Sequence, residues 1–380
     1  MTTLLFTHPA CLGHDTAPGH PERSARLKAV LEALSGDEFA ALERREAPPA
    51  TEEELTRVHP AAYVRWVLDA VPEEGYARLD PDTIVSPGSR EAALRAAGAA
   101  RAAVDAVLAG EAVNAFCAVR PPGHHAEPSR AMGFCLFNNV AVGALHARLA
   151  HGLDRVAVVD FDVHHGNGTQ AAFEHDARLF FASTHQMPLY PGTGSRNERG
   201  VGNIVNAPLP PGASGADFRH VFAERILPAL EDFRPDMLFI SAGFDAHAAD
   251  PLANLNLTAE DFAWATAKLV ELAGRHCGGR IVSTLEGGYD LQALASSVPA
   301  HLREVVAGGR RLAGGPREAR LLRRAGGGRG GPALARPRLA AGLWPWSLTL
   351  APGGRICWRE PAALAVGPRP TAGEGLNGGE

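Results

Sequence analysis

Residues 155–168 read Arg155-Val-Ala-Val-Val-Asp160-Phe-Asp162-Val-His164-His165-Gly166-Asn167-Gly168. An apolar run of strand length passes directly into a polar end, the pattern of a strand buried on both faces where it leaves its sheet. Side chains alternate along a strand, so Asp160, Asp162 and His164 share one face and Val159, Phe161 and Val163 the other. Three ionisable groups in register are costly to bury without a counter-charge. The face therefore reads as half of a divalent metal site. The alternative is that Asp and His cap the helix that comes next.

On either side of this stretch, similar apolar runs recur at Leu4–Phe6, Ala115–Val119, Leu179–Ser183, Met237–Ala242 and Ile281–Leu285. Helix-like segments lie between them: Pro21–Leu34, Ser89–Leu108, Asn138–Leu149, Ala216–Leu230 and Ala259–Cys277. Thr258 followed by Asp261 resembles a capping box with Asp in place of the usual Glu. Strands alternating with helices predict an α/β fold, a parallel sheet with crossover helices on both faces. Ligands of such sheets bind beyond the carboxyl ends of the strands. The residues just past each strand are therefore the informative ones.

After Ala115–Val119 comes Arg120-Pro-Pro-Gly-His124-His125-Ala126, a rigid turn that delivers tandem histidines to the rim. One would take a proton while its neighbour acts through charge or hydrogen bonding. After Met237–Ala242 comes Gly243-Phe-Asp245-Ala-His247-Ala-Ala-Asp250-Pro-Leu252. Asp245 stands where a third ligand is needed; Asp250 reads as a turn or capping residue and His247 as a hydrogen-bond partner. After Ile281–Leu285 comes Glu286-Gly-Gly-Tyr289, whose glycines allow close approach of a ligand and whose tyrosine offers a hydroxyl to an oxyanion. Two carboxylates and one imidazole balance a divalent ion and leave a position open. The set describes metal-assisted hydrolysis of a carbonyl compound. No Gly-x-Ser-x-Gly elbow, Walker loop or Gly-x-Gly-x-x-Gly after a strand is present.

Composition bounds the rest. The chain has 380 residues, 46% hydrophobic and 21% charged, a balance that excludes wholesale disorder, collagen and coiled coil. A net charge of −5 argues against a protein built mainly to hold nucleic acid, and no apolar run approaches a membrane span. Neither a basic n-region nor a long apolar core marks the N-terminus as a signal peptide. Five scattered cysteines suit reduced thiols, so a cytoplasmic location is expected. A seam falls near residue 307. The segment 308–380 holds 17 Gly, 8 Pro and 12 Arg against 4 Glu; its charge of +8 leaves −13 on the first 307 residues. All sixteen histidines lie at or before His301. A single folded domain over 1–307 and a weakly structured Gly/Pro/Arg-rich tail over 308–380 are expected. The arginines between Arg323 and Gly331 leave loose nucleic-acid binding open for the tail alone, and out-of-frame translation of a GC-rich gene is a further reading of it.

Seven ordered motifs carry a resemblance: His20-Pro-Glu-Arg23, Arg120-Pro-Pro-Gly-His-His-Ala126, Gly133-Phe-Cys-x-Phe-Asn-Asn139, Val159 to Gln170, Tyr190-Pro-Gly-Thr-Gly194, Gly243-Phe-Asp-Ala-His247 and Glu286-Gly-Gly-Tyr289. In this order they resemble the zinc-dependent histone deacetylase superfamily, closest to its class II and bacterial members, with acetylpolyamine amidohydrolases and acetoin-utilisation proteins as relatives. The resemblance implies one arginase-like domain with an eight-stranded parallel sheet. It implies Asp162, His164 and Asp245 as ligands of zinc, with ferrous ion also compatible. It implies His125 as general base and acid, His124 as electrostatic partner backed by Asp160, Asn167 as hydrogen-bond partner of His125, and Tyr289 as the transition-state tyrosine. Phe134, beside Gly133, and Tyr190 match the walls of an acyl-lysine tunnel, and Arg23 an arginine lining an internal acetate channel. Asp160 and Ser183 match a monovalent-cation site, which would take K+. For the rim acid that receives the substrate backbone, Asp82 is chosen over Asp80.

One departure bears on substrate. Polyamine-selective relatives place a carboxylate at the tunnel mouth, where this chain has Leu252. That favours acetyl-lysine or a similar acylated amine over acetylspermidine. Rival readings are an acetylpolyamine deacetylase, a non-catalytic acetyl-lysine or polyamine binding protein, and a dinuclear manganese hydrolase. The last would want a second carboxylate where His247 stands. A homo-oligomer is compatible with the sequence.

Overall fold

The strand that carries Asp160 lies inside a sheet of eight strands, and its neighbours explain why it is so apolar. A computed structural model describes residues 2–313, together with 348–350 and 356–358. In chain order the elements are β1 (Thr2–Thr7), α1 (Ser24–Ala33), β2 (Glu43–Glu46), α2 (Glu52–Leu55), α3 (Ala61–Asp69), β3 (Ala77–Asp80), β4 (Thr83–Val85), α4 (Ser89–Leu108), β5 (Ala112–Cys117) and α5 (Asn139–Leu149). They continue with β6 (Val156–Asp160), α6 (Asn167–Phe173), β7 (Leu179–Gln186), β8 (Ile204–Leu209), α7 (Gly215–Val221), α8 (Leu227–Phe233), β9 (Met237–Ala242), α9 (Ala259–His276), β10 (Ile281–Leu285) and α10 (Leu291–Ala313).

The sheet order is β2-β1-β5-β10-β9-β6-β7-β8, and every pairing in it is parallel. Parallel strands require crossovers, and the helices supply them on both faces of the sheet, α4 packing on α5 and α10 on α1 and α9. The central strands β5, β6, β9 and β10 are buried at every residue, which is why they read as unbroken apolar runs. Their carboxyl ends finish level: Asp160 pairs with Ser241, Ala242 with Leu285, and Cys117 with Thr284. Four loops therefore leave the sheet along one edge.

Two strands of this sheet escape the hydrophobic reading, and both are edge strands. β2 is Glu-Arg-Arg-Glu, largely exposed, and its charges suit a position with one unpaired edge. β8 contains Pro208, which removes a ladder donor and is tolerated for the same reason. β5 begins at Ala112 and ends at Cys117, not at Ala115 and Val119, although Ala118 N–H still bonds Phe6 O of β1 at 2.9 Å.

The last helix crosses the expected seam at 307. α10 runs to Ala313, with Pro299 inside it. Gly308 and Gly309 look like the onset of a loop-rich tail, but Gly308 faces α9 so closely that a Cβ there would meet Val270 Cγ1 at 2.2 Å. The glycine is a packing requirement, which composition alone does not distinguish from a linker. Within the remaining segment a short antiparallel pair, β11 (Leu348–Leu350) with β12 (Ile356–Trp358), is described. Otherwise the tail expected to be weakly structured lies outside the described residues. No described helix is long and apolar enough to cross a membrane.

Candidate active site

Asp162, His164 and Asp245 are buried together, and one ligand-type atom from each lies within 4.8 Å of the others. His164 Nδ1 is 3.2 Å from Asp162 Oδ1 and 3.1 Å from Asp245 Oδ2. Backbone donors hold the carboxylates from outside: Gly287 N–H to Asp162 Oδ2 at 2.8 Å, His164 N–H to Asp162 Oδ1 at 2.9 Å, and Val163 N–H to Asp245 Oδ1 at 2.9 Å. Two glycines make this convergence possible. A Cβ on Gly243 would sit 2.0 Å from Asp162 Oδ2, and one on Gly287 2.1 Å from Asp245 Oδ2. Burial disfavours charge on His164, yet the two carboxylates raise its pKa to about 10. The pocket demands a cation, and two carboxylates plus an imidazole fit a divalent one.

The tandem histidines lie beside this set with opposite protonation preferences. Glu286 accepts hydrogen bonds from the N–H groups of Gly123 (2.7 Å) and His124 (3.1 Å), tying their loop to the end of β10. His124 Nδ1 meets Asp160 Oδ2 at 2.9 Å. Against the cost of burial, Asp162 and Asp160 hold the His124 pKa well above its ordinary value, so that ring keeps its charge. His125 is driven well below its ordinary value by burial and by the charge on His124. It stays neutral, with Nδ1 2.8 Å from Asn167 Oδ1. A neutral ring beside a charged one is the arrangement of a base with an electrostatic partner.

Tyr289 is buried, which pushes its hydroxyl well above the ordinary range and keeps it a donor. The Phe134 ring meets it edge-on at 5.8 Å between centroids. The Tyr190 ring meets His125 edge-on at 5.2 Å and is 37% exposed, so aromatic surface runs from the base toward solvent. Gly133 has a φ of +57°, and a Cβ there would strike the His125 ring. Asp82 Oδ1 accepts from Gly133 N–H at 3.1 Å and from the Thr83 hydroxyl at 2.8 Å, whereas Asp80 pairs with Arg130 at 3.1 Å. Leu252 is partly exposed, its N–H bonded to Asp250 Oδ1 at 3.0 Å. Asp160 and Ser183 are buried neighbours in register on β6 and β7.

The expectation for Arg23 is corrected by its position. Arg23 is exposed at the start of α1, where its side chain makes no cap. The arginine that enters the interior is Arg26, one helical turn on. It is fully buried, donates to Gly288 O at 2.6 Å and to Glu286 O at 2.5 Å, and lies 4.7 Å from the Tyr289 ring centroid. Glu22 pairs with it at 3.0 Å and also accepts from Arg120 at 2.6 Å. The sequence signal for it is an i, i+4 Glu–Arg pair overlapping the His20-Pro-Glu-Arg23 motif.

Asp250 has a larger part than turn-capping. Its Oδ2 accepts from Tyr289 N–H at 2.7 Å and from Asp290 N–H at 3.3 Å, linking the Asp245 loop to the tyrosine loop. His247 hydrogen-bonds locally, its Nδ1 accepting from Ala249 N–H at 3.1 Å. A second His and Asp set, Asp105, His146 and His151, lies outside the site.

Comparison with known proteins identifies the family. The family model described as the histone deacetylase domain matches residues 20–305. The histone deacetylase-like amidohydrolase of Pseudomonas aeruginosa is 46% identical over 286 residues, covering 74% of each chain. The chloroplastic histone deacetylase 14 of Arabidopsis thaliana is 41% identical, covering 80% of this chain and 76% of its own. A probable deacetylase of Archaeoglobus fulgidus is 42% identical, covering 77% of this chain and 82% of its own. Among solved structures, the HDA15 HD domain superposes with a TM-score of 0.77 at 35% identity, covering 82% of this chain and 92% of that one. With its eight-stranded parallel sheet and its motif order, the chain belongs to the histone deacetylase family.

Proposed function

We propose that the protein is a zinc-dependent deacetylase that removes acetyl groups from lysine side chains or similar acylated amines. The observation that carries this is the histidine pair beside the Asp162–His164–Asp245 set: His124 sits between Asp160 (2.9 Å) and Asp162 (3.8 Å), and His125, bonded to Asn167, has its ring 5.8 Å from that of His164. A divalent ion held by those three residues supplies a Lewis acid that polarises an amide carbonyl and acidifies water. The remaining chemistry belongs to side chains. His125 Nε2 takes the proton of the attacking water and returns it to the departing amine. His124, held charged by Asp160, stabilises the negative charge that develops, and the Tyr289 hydroxyl donates to the oxygen that bears it.

Phe134 and Tyr190 would grip the apolar stem of an acyl-lysine. Asp82, with one oxygen engaged by Gly133 and Thr83, would offer the other to the substrate backbone. Leu252 brings no charge to attract a second amine, which disfavours acetylpolyamines. Arg26, not Arg23, is the candidate to meet a released carboxylate. Asp160 with Ser183 remains our candidate site for K+. The four buried cysteines fit a reducing, cytoplasmic setting.

The test is turnover of a fluorogenic acetyl-lysine peptide by zinc-loaded protein, with acetylcadaverine as competitor. Replacing His125 by Ala or Tyr289 by Phe is expected to lower kcat by on the order of 10²-fold or more. Wild-type turnover in both variants would remove the assigned roles. Preference for acetylcadaverine would select the polyamine reading, and tight binding without product the non-catalytic one.

A further inference from the structure

We propose that Glu127 is a positioning residue for His125: through the amide of Asn167 it decides which ring nitrogen of His125 is free to take a proton. The inference rests on the reading of His125 as the base. Its geometry is a chain of two hydrogen bonds. His125 Nδ1 lies 2.8 Å from Asn167 Oδ1, and Asn167 Nδ2 donates to Glu127 Oε1 at 2.8 Å.

A primary amide has one accepting and one donating end, and the Asn167 amide could face His125 with either. A carboxylate only accepts. Glu127 therefore takes the NH2 end and leaves the carbonyl oxygen toward the ring. Met132 Sδ, 3.4 Å from the same Nδ2, is a second acceptor on that side. A carbonyl oxygen also only accepts, so His125 must carry its hydrogen on Nδ1, and the lone pair is left on Nε2. Turning the amide over would set its oxygen against the carboxylate and forfeit a charge-assisted hydrogen bond.

The carboxylate is itself well placed to impose this choice. Glu127 directly follows the His-His-Ala motif, and its backbone N–H and C=O pair with Arg130 O and N, closing a turn that fixes the origin of the side chain. It acts at one remove. Asp160 touches the His124 ring directly and holds a charge on it; Glu127 reaches His125 only through a neutral amide, orienting the ring without drawing it into an ion pair. Among the described residues, no comparable chain serves His124.

The decisive substitution is Glu127→Gln. Glutamine keeps the size and offers either end of its own amide, so both orientations of Asn167 become possible. In zinc-loaded full-length protein, E127Q is expected to lower kcat on acetyl-lysine peptide about 10-fold, the lower end of what a lost supporting hydrogen bond costs at a metal site. KM should stay within about twofold. The same change in an Asn167→Asp background should cost nothing further, since a carboxylate accepts from Nδ1 in either orientation. It should even restore some rate, by removing Glu127 from beside a like charge.

A merely structural Glu127 would lower kcat equally in both backgrounds, and that result would overturn the proposal, as would full activity of E127Q. Nitrogen-15 NMR of the His125 ring supplies a readout independent of turnover. The wild type is expected to show one neutral tautomer protonated at Nδ1, and E127Q a mixture; an unchanged ring would overturn the proposal. If the wild type hydrolyses no acetylated amine, the functional reading fails while the tautomer measurement still decides the role of Glu127.

Discussion

Among the described residues, two places bring an aspartate and histidine cluster within 4.8 Å, and they are built for opposite purposes. Asp162, His164 and Asp245 are buried at the sheet edge, and their outer lone pairs are taken by backbone N–H groups. The inner oxygens face the His164 ring, His124 Nε2 lies 3.8 Å from Asp162 Oδ2, and among the described residues no guanidinium bonds either carboxylate. Asp105, His146 and His151 meet where α4 packs on α5, with His151 exposed, Asp105 partly exposed and His146 buried. Both imidazoles point Nε2 at the same oxygen, Asp105 Oδ1, at 2.7 Å, so each spends a proton on it. Arg101 Nη1 donates to Asp105 Oδ2 at 3.1 Å, and Arg57 Nη1 closes on His146 Nδ1. A cation entering there would displace two protons and sit beside two guanidinium groups. Residue type and proximity are alike in the two clusters. What differs is whether guanidinium groups already bond the cluster.

The greatest loss should come from substitutions that probe that difference directly. Losing a hydrogen-bond partner of a metal ligand costs about 10–100-fold in affinity, and losing the ligand itself should exceed that. His164→Ala or Asp245→Asn should abolish both turnover and retention of an ion through dialysis, measured as metal per chain by mass spectrometry. His146→Ala should retain the wild-type stoichiometry. The opposite pattern, an ion lost with His146 and kept without His164, would reverse the roles of the two clusters.

Much of the buried cluster is legible in the sequence because strand geometry constrains it. β6 itself ends at Asp160, with Asp162 and His164 just beyond it at the same sheet edge, to which a parallel sheet also sends Asp245, His125 and Tyr289. Parts fixed by packing are not legible. Arg23 invites an interior reading because it closes the His-Pro-Glu-Arg motif, but helix periodicity sends Arg26 inward and leaves Arg23 outside. β2 lacks an apolar run because it is a largely exposed edge strand, and the run of β8 is broken by the buried Asn206 and by Pro208. Gly308 imitates a linker because a glycine serving close helix packing and one serving a flexible chain are the same letter. Asp250 and Glu127 act through backbone N–H and amide groups, which leave no pattern in sequence.

A third carboxylate extends the contrast from the buried side. Glu22 is as deeply buried as Asp162, yet Arg120 and Arg26 flank it, as Arg101 flanks Asp105. Burial alone would raise its pKa, but Arg120 and Arg26 bring it down to about 2. Glu22→Gln leaves two buried guanidinium groups uncompensated and should cost about 3–5 kcal/mol, by denaturant titration near neutral pH. The sign of its pH dependence follows from the depression. The stability that ionised Glu22 contributes is present above its ordinary value of about 4.5 and is lost as pH falls from there toward 2. The gap between wild type and E22Q should therefore shrink between about pH 5 and pH 3. A constant gap would mean that packing, not charge, holds the cluster.

A smaller effect is expected where the site meets its supporting loop. Asp250→Asn keeps an acceptor for Tyr289 N–H but weakens it, and should lower kcat by roughly 10-fold with KM little changed. If its effect survives in full in a Tyr289→Phe background, Asp250 does not act through the tyrosine.

The least change belongs to the surface cluster, and its direction is as diagnostic as its size. Asp105 is substantially exposed, which limits its ion pair with His146 to about 1 kcal/mol, so His146→Gln, which keeps a polar side chain of similar size at this buried position, should cost little more than that. Burial is the main reason the His146 pKa lies below 6.5, partly offset by Asp105. A depressed histidine is neutral in the folded protein while its unfolded counterpart takes a proton, so stability falls as pH drops through about 6.5 and below. His146→Gln removes that proton uptake and should flatten the stability profile between about pH 7 and pH 5. Activity and metal content should not move. A steeper profile in the variant would mean that His146 is held charged in the fold, and that Asp105 is an anion the arginines do not satisfy. The surface cluster would then resemble the buried one after all.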